Sequence, residues 1–259
     1  MTTLITGATK GIGLALGLEF ARQGHDLLLV ARDEQRLKEL AYQLNEQYQV
    51  KVDYIVADLS KPGSAFTLYH AVQNRGIWVK CLVNNAGIGY MGTYAEMDVT
   101  KLQDLMQVNM ISLSELTRLY LNDFLGRNEG SILQVSSTAA FLPGPMMAAY
   151  YASKAYVSSL SQAIAYEIKD ANVSLSILCP GPTRTEFFHS AGMENSRISK
   201  GLTGMMDSEK VAQIAYKGLM KKKLFIIPGF RNKLTVYAAI LSPKRIAVAL
   251  AAYFHHKGD

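Results

Sequence analysis

Short apolar runs alternate with amphipathic stretches along most of the chain. After a first run ending at Thr6, residues 27–31, 80–84, 131–136 and 173–179 read as buried strands. Between them a 3.6-residue periodicity predicts helices near 12–23, 34–48, 63–75, 98–126 and 149–170. A further helix opens at Asp207, a natural N-cap, and runs to about Lys222. A last strand over 224–227 is closed by Pro228 and Gly229. Strand–helix alternation at this spacing predicts an α/β fold, a doubly wound parallel sheet with helices on both faces. Right-handed crossovers then open a crevice at the carboxyl ends of the strands. With no internal repeat or low-complexity linker, one domain is expected. Its body spans 1–229 and 230–259 form a helical extension of it.

Composition narrows the class. The chain has 259 residues, 49% hydrophobic and 19% charged, which suits a packed core and argues against disorder. Its two cysteines, Cys81 and Cys179, sit at the edges of apolar runs and read as buried thiols in a reducing compartment. The N-terminus shows neither a basic segment nor a 7–15-residue apolar stretch, so a cytoplasmic location is expected. Net charge is +6, but the basic residues are scattered. The one dense run, Lys221 to Lys223, ends a predicted helix where cations complement the dipole. No nucleic-acid partner follows from that. None of the five histidines is spaced with carboxylates as metal ligands are, so no metal is expected.

The segment Thr6-Gly7-Ala8-Thr9-Lys10-Gly11-Ile12-Gly13 joins the first strand to the first helix. Gly7 permits the tight turn, Gly11 lets backbone approach a pyrophosphate, and Gly13 lets the helix pack closely. The spacing G-x-x-x-G-x-G departs from the commoner G-x-G-x-x-G dinucleotide fingerprint. Together with Asn84-Asn85-Ala86-Gly87, Tyr150-x-x-x-Lys154 and Pro180-Gly181, in that order, it resembles the short-chain dehydrogenase/reductase family over roughly residues 3–228. That resemblance implies a Rossmann-type sheet of strand order 3-2-1-4-5-6-7 and an activity of class EC 1.1.1.-.

An NAD site places a carboxylate at the end of the second strand to meet the ribose 2′-hydroxyl. Here Ala31 holds that place, Arg32 follows it, and Lys10 lies in the turn. Two cations and no acid suit a 2′-phosphate, so NADP(H) is expected over NAD(H). Asp33 is the competing acid, though it reads better as the cap of the next helix. The resemblance adds Asp58 and Leu59 at the adenine and Asn85 at the adenosine ribose. It also assigns Pro180, Gly181, Thr183 and Thr185 to the nicotinamide and pyrophosphate. Asn84 and Asn85 also read as an ordinary strand-end turn.

Tyr150 and Lys154 stand at i and i+4 of a predicted helix and share one face. An ammonium near a phenol favours the phenolate, and lowering a pKa of about 10 to about 7 takes roughly 4 kcal/mol. Lys154 and a cationic nicotinamide would supply it jointly, leaving Tyr150 as the proton donor or acceptor. Tyr151, at i−3 from Lys154, is not excluded by geometry, but the family pattern selects Tyr150. The resemblance also implies Ser137 as the hydroxyl that polarises the substrate oxygen, with Ser136 the competitor at the end of its strand. It implies Asn109, an amide within an apolar helix, as the fourth member, bending that helix and helping hold a water linked to the lysine.

Phe141, Leu142, Met146 and Met147 precede the catalytic helix, and Phe187, Phe188, Met193, Met205 and Met206 lie among glycines in 186–206. They predict a lid over an apolar pocket, hence a hydrophobic ketone, aldehyde or alcohol as substrate. The tail holds helical stretches at 234–241 and 246–254, each too short to span a bilayer. Packing on its own domain or a second subunit is the first expectation for it. An interfacial membrane helix flanked by Lys244, Arg245 and Lys257 is the second. The resemblance implies a homodimer or homotetramer through 98–126 and 149–170. The alternative to an enzyme is an NADP(H)-binding regulatory protein with little turnover, against which an intact Ser137, Tyr150 and Lys154 argue.

Overall fold

A computed structural model describes residues 1–194, 196–197 and 204–255. Seven parallel strands form the sheet: β1 Thr2–Thr6, β2 Asp26–Ala31, β3 Val52–Val56, β4 Val79–Asn84, β5 Gly130–Val135, β6 Val173–Leu178 and β9 Phe225–Ile226. Their order is β3-β2-β1-β4-β5-β6-β9, the expected order once the last sheet strand is counted seventh. Two strands of two residues, β7 Thr183–Arg184 and β8 Met206–Asp207, pair apart from this sheet and were not anticipated.

Both sheet faces are covered, and this is why apolar residues of the strands point to both faces. Successive side chains point to opposite faces. Ile5, Leu27 and Leu29 meet Leu16 and Phe20 of α1 (Gly11–Arg22), Leu37 and Leu44 of α2 (Glu34–Tyr48), and Val211 of α8 (Ser208–Met220). Leu4, Leu28 and Val30 face the other way. That layer holds Leu68 of α3 (Ser64–Asn74) and Leu116, Tyr120 and Phe124 of α5 (Leu113–Arg127). The strand order reverses at β1, so the carboxyl ends of β1 and β4 leave a crevice between them.

Caps fall where the polar residues predict. Asp33 accepts from the Arg36 backbone N–H at 3.1 Å and Asp207 from that of Glu209 at 2.9 Å. Asp33 therefore caps the start of α2, as expected.

The differences from the sequence reading that matter most lie at Asn109, at Ser136 and in the tail. The helix expected over 98–126 is α4 Val99–Met106, a π-helical turn Gln107–Ser112, then α5. The wide turn surrounds Asn109, whose amide is drawn to a neighbouring loop, and such bulges concentrate at functional sites. The strand expected to end at Ser136 ends at Val135, although the Ser136 N–H still donates to Leu178 O at 2.8 Å. The tail helices α9 (Phe230–Leu241) and α10 (Lys244–His255) begin earlier than expected. Proline is tolerated at a helix start, so Pro243 opens α10 instead of extending the break.

The remaining helices are α6, Ala148–Glu167, and the single turn α7, Phe187–Ser190. Of the lid expected over 186–206, residues 195 and 198–203 lie outside the described residues.

Candidate active site

The glycine turn is shaped by what it must pack against. Gly7 and Gly11 take φ of 65° and 54°, where a side chain is strained. A Cβ on Gly13 would lie 2.2 Å from Gly7 O and 2.4 Å from Asn85 Nδ2, so only hydrogen fits there. The end of β4 braces the turn. Asn85 Nδ2 donates to Thr6 O at 2.9 Å and Gly7 O at 3.1 Å, while Thr6 Oγ1 accepts from the Asn85 and Ala86 N–H groups. No side chain caps α1. Its first N–H groups are left to point at a ligand, the arrangement that holds a phosphate. Backbone room and orphan donors fit a dinucleotide pyrophosphate.

A cavity of about 780 Å³ runs from this turn to α6. Thr9, Lys10, Ile12 and Arg32 line it at one end, and Ser137, Tyr150 and Lys154 at the other. Asp58, Leu59, Asn85, Pro180, Gly181, Thr183 and Thr185 line it as well. Gly7 and Gly11 also line it, whereas Gly13 and Asn109 stand behind the lining. The Asn85 amide is already spent on the turn, so its strand-end role is present whatever else it meets.

At the cationic end, Lys10 Nζ lies 2.8 Å from Glu186 Oε2, and Arg36 Nη1 3.8 Å from Glu186 Oε1. The Lys10 hydrogen bond, with Arg36 and His189 nearby, holds the Glu186 carboxyl below its ordinary range. Ala31 is buried and Arg32 is exposed beside it. Burial pushes the Asp58 carboxyl up, but hydrogen bonds from Ser60 and the charges of Arg32 and Lys61 outweigh it and hold the group low.

At the other end, Lys154 is 4% exposed and its Nζ donates to Val135 O at 2.9 Å. Burial lowers its pKa to about 8. Its Nζ is 5.8 Å from the centroid of the Tyr150 ring. The Tyr150 phenol is pushed up to about 12 by burial, which a hydrogen bond from Ser137 only partly offsets. The expectation of a lowered phenol invoked a cationic nicotinamide acting with Lys154, and it concerns that complex rather than the protein alone. In the protein alone, desolvation keeps the phenol protonated.

The two serines separate cleanly. Ser136 Oγ donates to Lys154 O at 3.0 Å and lies 2.9 Å from Ser158 Oγ, pinned against α6. Ser137 Oγ accepts from the Ala139 N–H at 3.1 Å and bonds Tyr150. Tyr151 also lines the cavity, but its ring covers Gly144, where a Cβ would come within 2.4 Å of it.

Asn109 is fully buried. Its Oδ1 accepts from the Ile88 N–H at 2.9 Å, and its Nδ2 donates to Ile88 O at 2.9 Å and Ser153 Oγ at 3.0 Å. A Cβ on Gly87 would sit 3.3 Å from Lys154 Nζ and 3.5 Å from Asn109 Oδ1, so these atoms flank one small gap. Beyond Tyr150 the wall is apolar. Met147, Ala191 and Met193 are buried with Phe187 and Phe188 against them, and the Phe187 ring lies 5.2 Å from that of Tyr150.

Glu186, Arg36 and Ser153 escaped the sequence reading. Glu186 directly follows Thr185, and Ser153 lies inside the Tyr150–Lys154 interval, which were the available signals. Among the described residues no group of histidine, cysteine and carboxylate side chains could hold a metal.

A family model for short chain dehydrogenase matches residues 1–196. The chain is 30% identical over 224 residues to a 7beta-hydroxysteroid dehydrogenase of Clostridium sardiniense, covering 86% of this chain and 84% of that protein. It is 32% identical over 180 residues to the human inactive hydroxysteroid dehydrogenase-like protein 1, covering 68% of this chain and 54% of that one. Matches to several curated relatives span little more than half of their length. Among solved structures, a short-chain dehydrogenase from Sphingobium yanoikuyae in complex with NADPH superposes with a TM-score of 0.83 at 31% identity, covering 88% of each chain.

Proposed function

The chain belongs to the short-chain dehydrogenase/reductase family, and we propose that it is an NADP(H)-dependent oxidoreductase interconverting a hydrophobic ketone or aldehyde and the corresponding alcohol. One observation carries this reading. Ser137, Tyr150 and Lys154 line one end of a cavity whose other end is a glycine turn with Lys10 and Arg32.

When bound, the nicotinamide supplies or takes the hydride. Gly7, Gly11 and the open start of α1 would hold the pyrophosphate, and Arg32 and Lys10 the 2′-phosphate. Ser137 Oγ donates to the substrate oxygen and polarises its carbonyl. Tyr150, neutral at physiological pH, gives its phenolic proton to that oxygen as the alcohol forms. In the reverse direction Tyr150 must accept a proton, and the positive charge beside it then favours the phenolate. Lys154 is held in place by Val135 O, and Asn109 by Ile88, so both polar atoms are fixed before any substrate arrives.

The Phe187, Phe188, Met147 and Met193 wall supports a hydrophobic substrate. The hydroxysteroid dehydrogenase among the relatives supports the same class. A steroid, a 3-oxoacyl thioester and an aromatic ketone, each assayed by NADPH absorbance, form the first panel. Tyr150→Phe should lower turnover by about 10²–10⁴-fold while NADPH still binds. Unchanged turnover would overturn the mechanism. A second reading, cofactor binding without turnover, is favoured by the human relative named inactive. Absence of turnover across the panel, with NADPH bound normally, would select it.

A further inference from the structure

We propose that the outer face of α9 and α10 docks on a bilayer of anionic phospholipid. The charge of the chain is unevenly placed. Glu209 is the last acidic residue before Asp259, and ten lysines and arginines lie between them. Arg231, Lys233, Lys244 and Arg245 belong to the two tail helices, and none makes an ion pair among the described residues.

The apolar surface is equally one-sided. On α9, Val236 is buried and Asn232 and Ala239 are half-buried, defining the inner face. Phe230, Leu234, Tyr237 and Leu241 follow at helical spacing and are all exposed, Phe230 to 81% and Leu241 to 82%. At 3.6 residues per turn they form one stripe opposite Val236, with Arg231 on one flank and Lys233 on the other. On α10, Ala247 and Ala251 point inward while Ile246, Leu250 and Tyr253 are exposed. Lys244 and Arg245 stand at its start.

Soluble surfaces seldom leave such a continuous apolar stripe in water. No helix among the described residues is long and apolar enough to cross a membrane. Helices lying in the interface plane have this composition, with aromatic and aliphatic residues toward the acyl chains and cations toward the headgroups. The cations decide against the other occupants. A two-fold contact with a second copy would set Arg231, Lys233, Lys244 and Arg245 near their own counterparts, with no acid on either helix to pair them. A nucleic acid would neutralise the cations but leave the stripe in water.

The inner face of α9 touches the cofactor block. A Cβ on Gly181 would meet Asn232 Oδ1 at 2.2 Å, and Asn232 Nδ2 donates to Pro228 O at 2.7 Å. Docking through the opposite face of α9 would therefore hold Pro180 and Gly181 one helix diameter, roughly 10 Å, from the lipid.

The test is co-sedimentation of the full chain with vesicles of phosphatidylcholine alone or with added phosphatidylglycerol. Binding should require phosphatidylglycerol and weaken at least tenfold between about 50 mM and about 500 mM salt. Leu234→Glu with Tyr237→Glu, and separately Arg231→Glu with Lys233→Glu, should each weaken it tenfold or more. Both should retain the native circular dichroism, melting temperature and NADPH binding, because all four side chains are exposed. Vesicle binding needs no turnover, so it stands or falls separately from the proposed activity. Equal sedimentation of wild type and both variants would overturn the proposal. So would a wild-type dimer that ignores vesicles and dissociates with Leu234→Glu and Tyr237→Glu.

Discussion

Lys10 Nζ and Glu186 Oε2 lie 2.8 Å apart on the lining of the cavity, so a cation suited to a 2′-phosphate is already paired. Arg36 approaches the same carboxylate at 3.8 Å. A phosphate arriving there must displace Glu186 or share Lys10 with it, and a carboxylate beside a dianion is repelled. Both side chains are about half exposed, so the pair itself is weak and the effect modest. Glu186→Gln should therefore tighten NADPH about two- to fivefold and leave NADH almost unchanged. Arg32→Ala should move the other way, weakening NADPH about tenfold or more through loss of a charge-assisted bond. Fluorescence titration of both cofactors reads both variants, and equal changes for NADPH and NADH would refute a phosphate site at this end.

Ser136 and Ser137 are neighbours with opposite expected phenotypes. The Ser136 hydroxyl is buried and bonded to Lys154 O and Ser158 Oγ, so Ser136→Ala removes a structural contact. It should lower stability by about 1 kcal/mol and leave turnover within a few-fold of wild type. Ser137→Ala removes the donor next to Tyr150 and should lower kcat by about 10²–10³-fold with little change in melting temperature. Thermal melts set beside initial rates separate the two. The reverse pattern would exchange their roles.

What could be read along the chain was what the chain encodes locally. Strand and helix alternation sets the sheet, the glycine turn is contiguous, and Tyr150 and Lys154 are one helical turn apart. The choice of Ser137 over Ser136 comes from the family resemblance and from placing Ser136 at the end of its strand. Glu186 was invisible because its meaning lies in Lys10 and Arg36, which the fold brings to it from the opposite end of the chain. The irregular turn at Asn109 was legible only through the family resemblance, which implies a bend there. Its cause is the grip of Asn109 on Ile88 in another segment, and no periodicity in 98–126 records that. The burial of the Tyr150 phenol is likewise a property of the whole fold, and its spacing to Lys154 does not record it.

Lys154 carries its charge where the fold disfavours it. Burial draws its pKa from 10.5 to about 8. Below pH 8 both the folded and the unfolded chain hold this proton, and the folded state bears the whole desolvation penalty. Between about pH 8 and about pH 10.5 the unfolded chain binds more protons, so stability rises with pH across that window. The gain from this group is on the order of 2–3 kcal/mol. Lys154→Met removes the titration. The unfolding free energy of the wild type minus that of the variant should climb by about that amount from about pH 7 to about pH 10 in urea denaturation series. Turnover should be lost in the variant at every pH, because Tyr150 no longer has a cation beside it. A stability difference that stays flat would mean that the ammonium is well solvated, and a solvated ammonium is too weak a partner to tune the Tyr150 phenol.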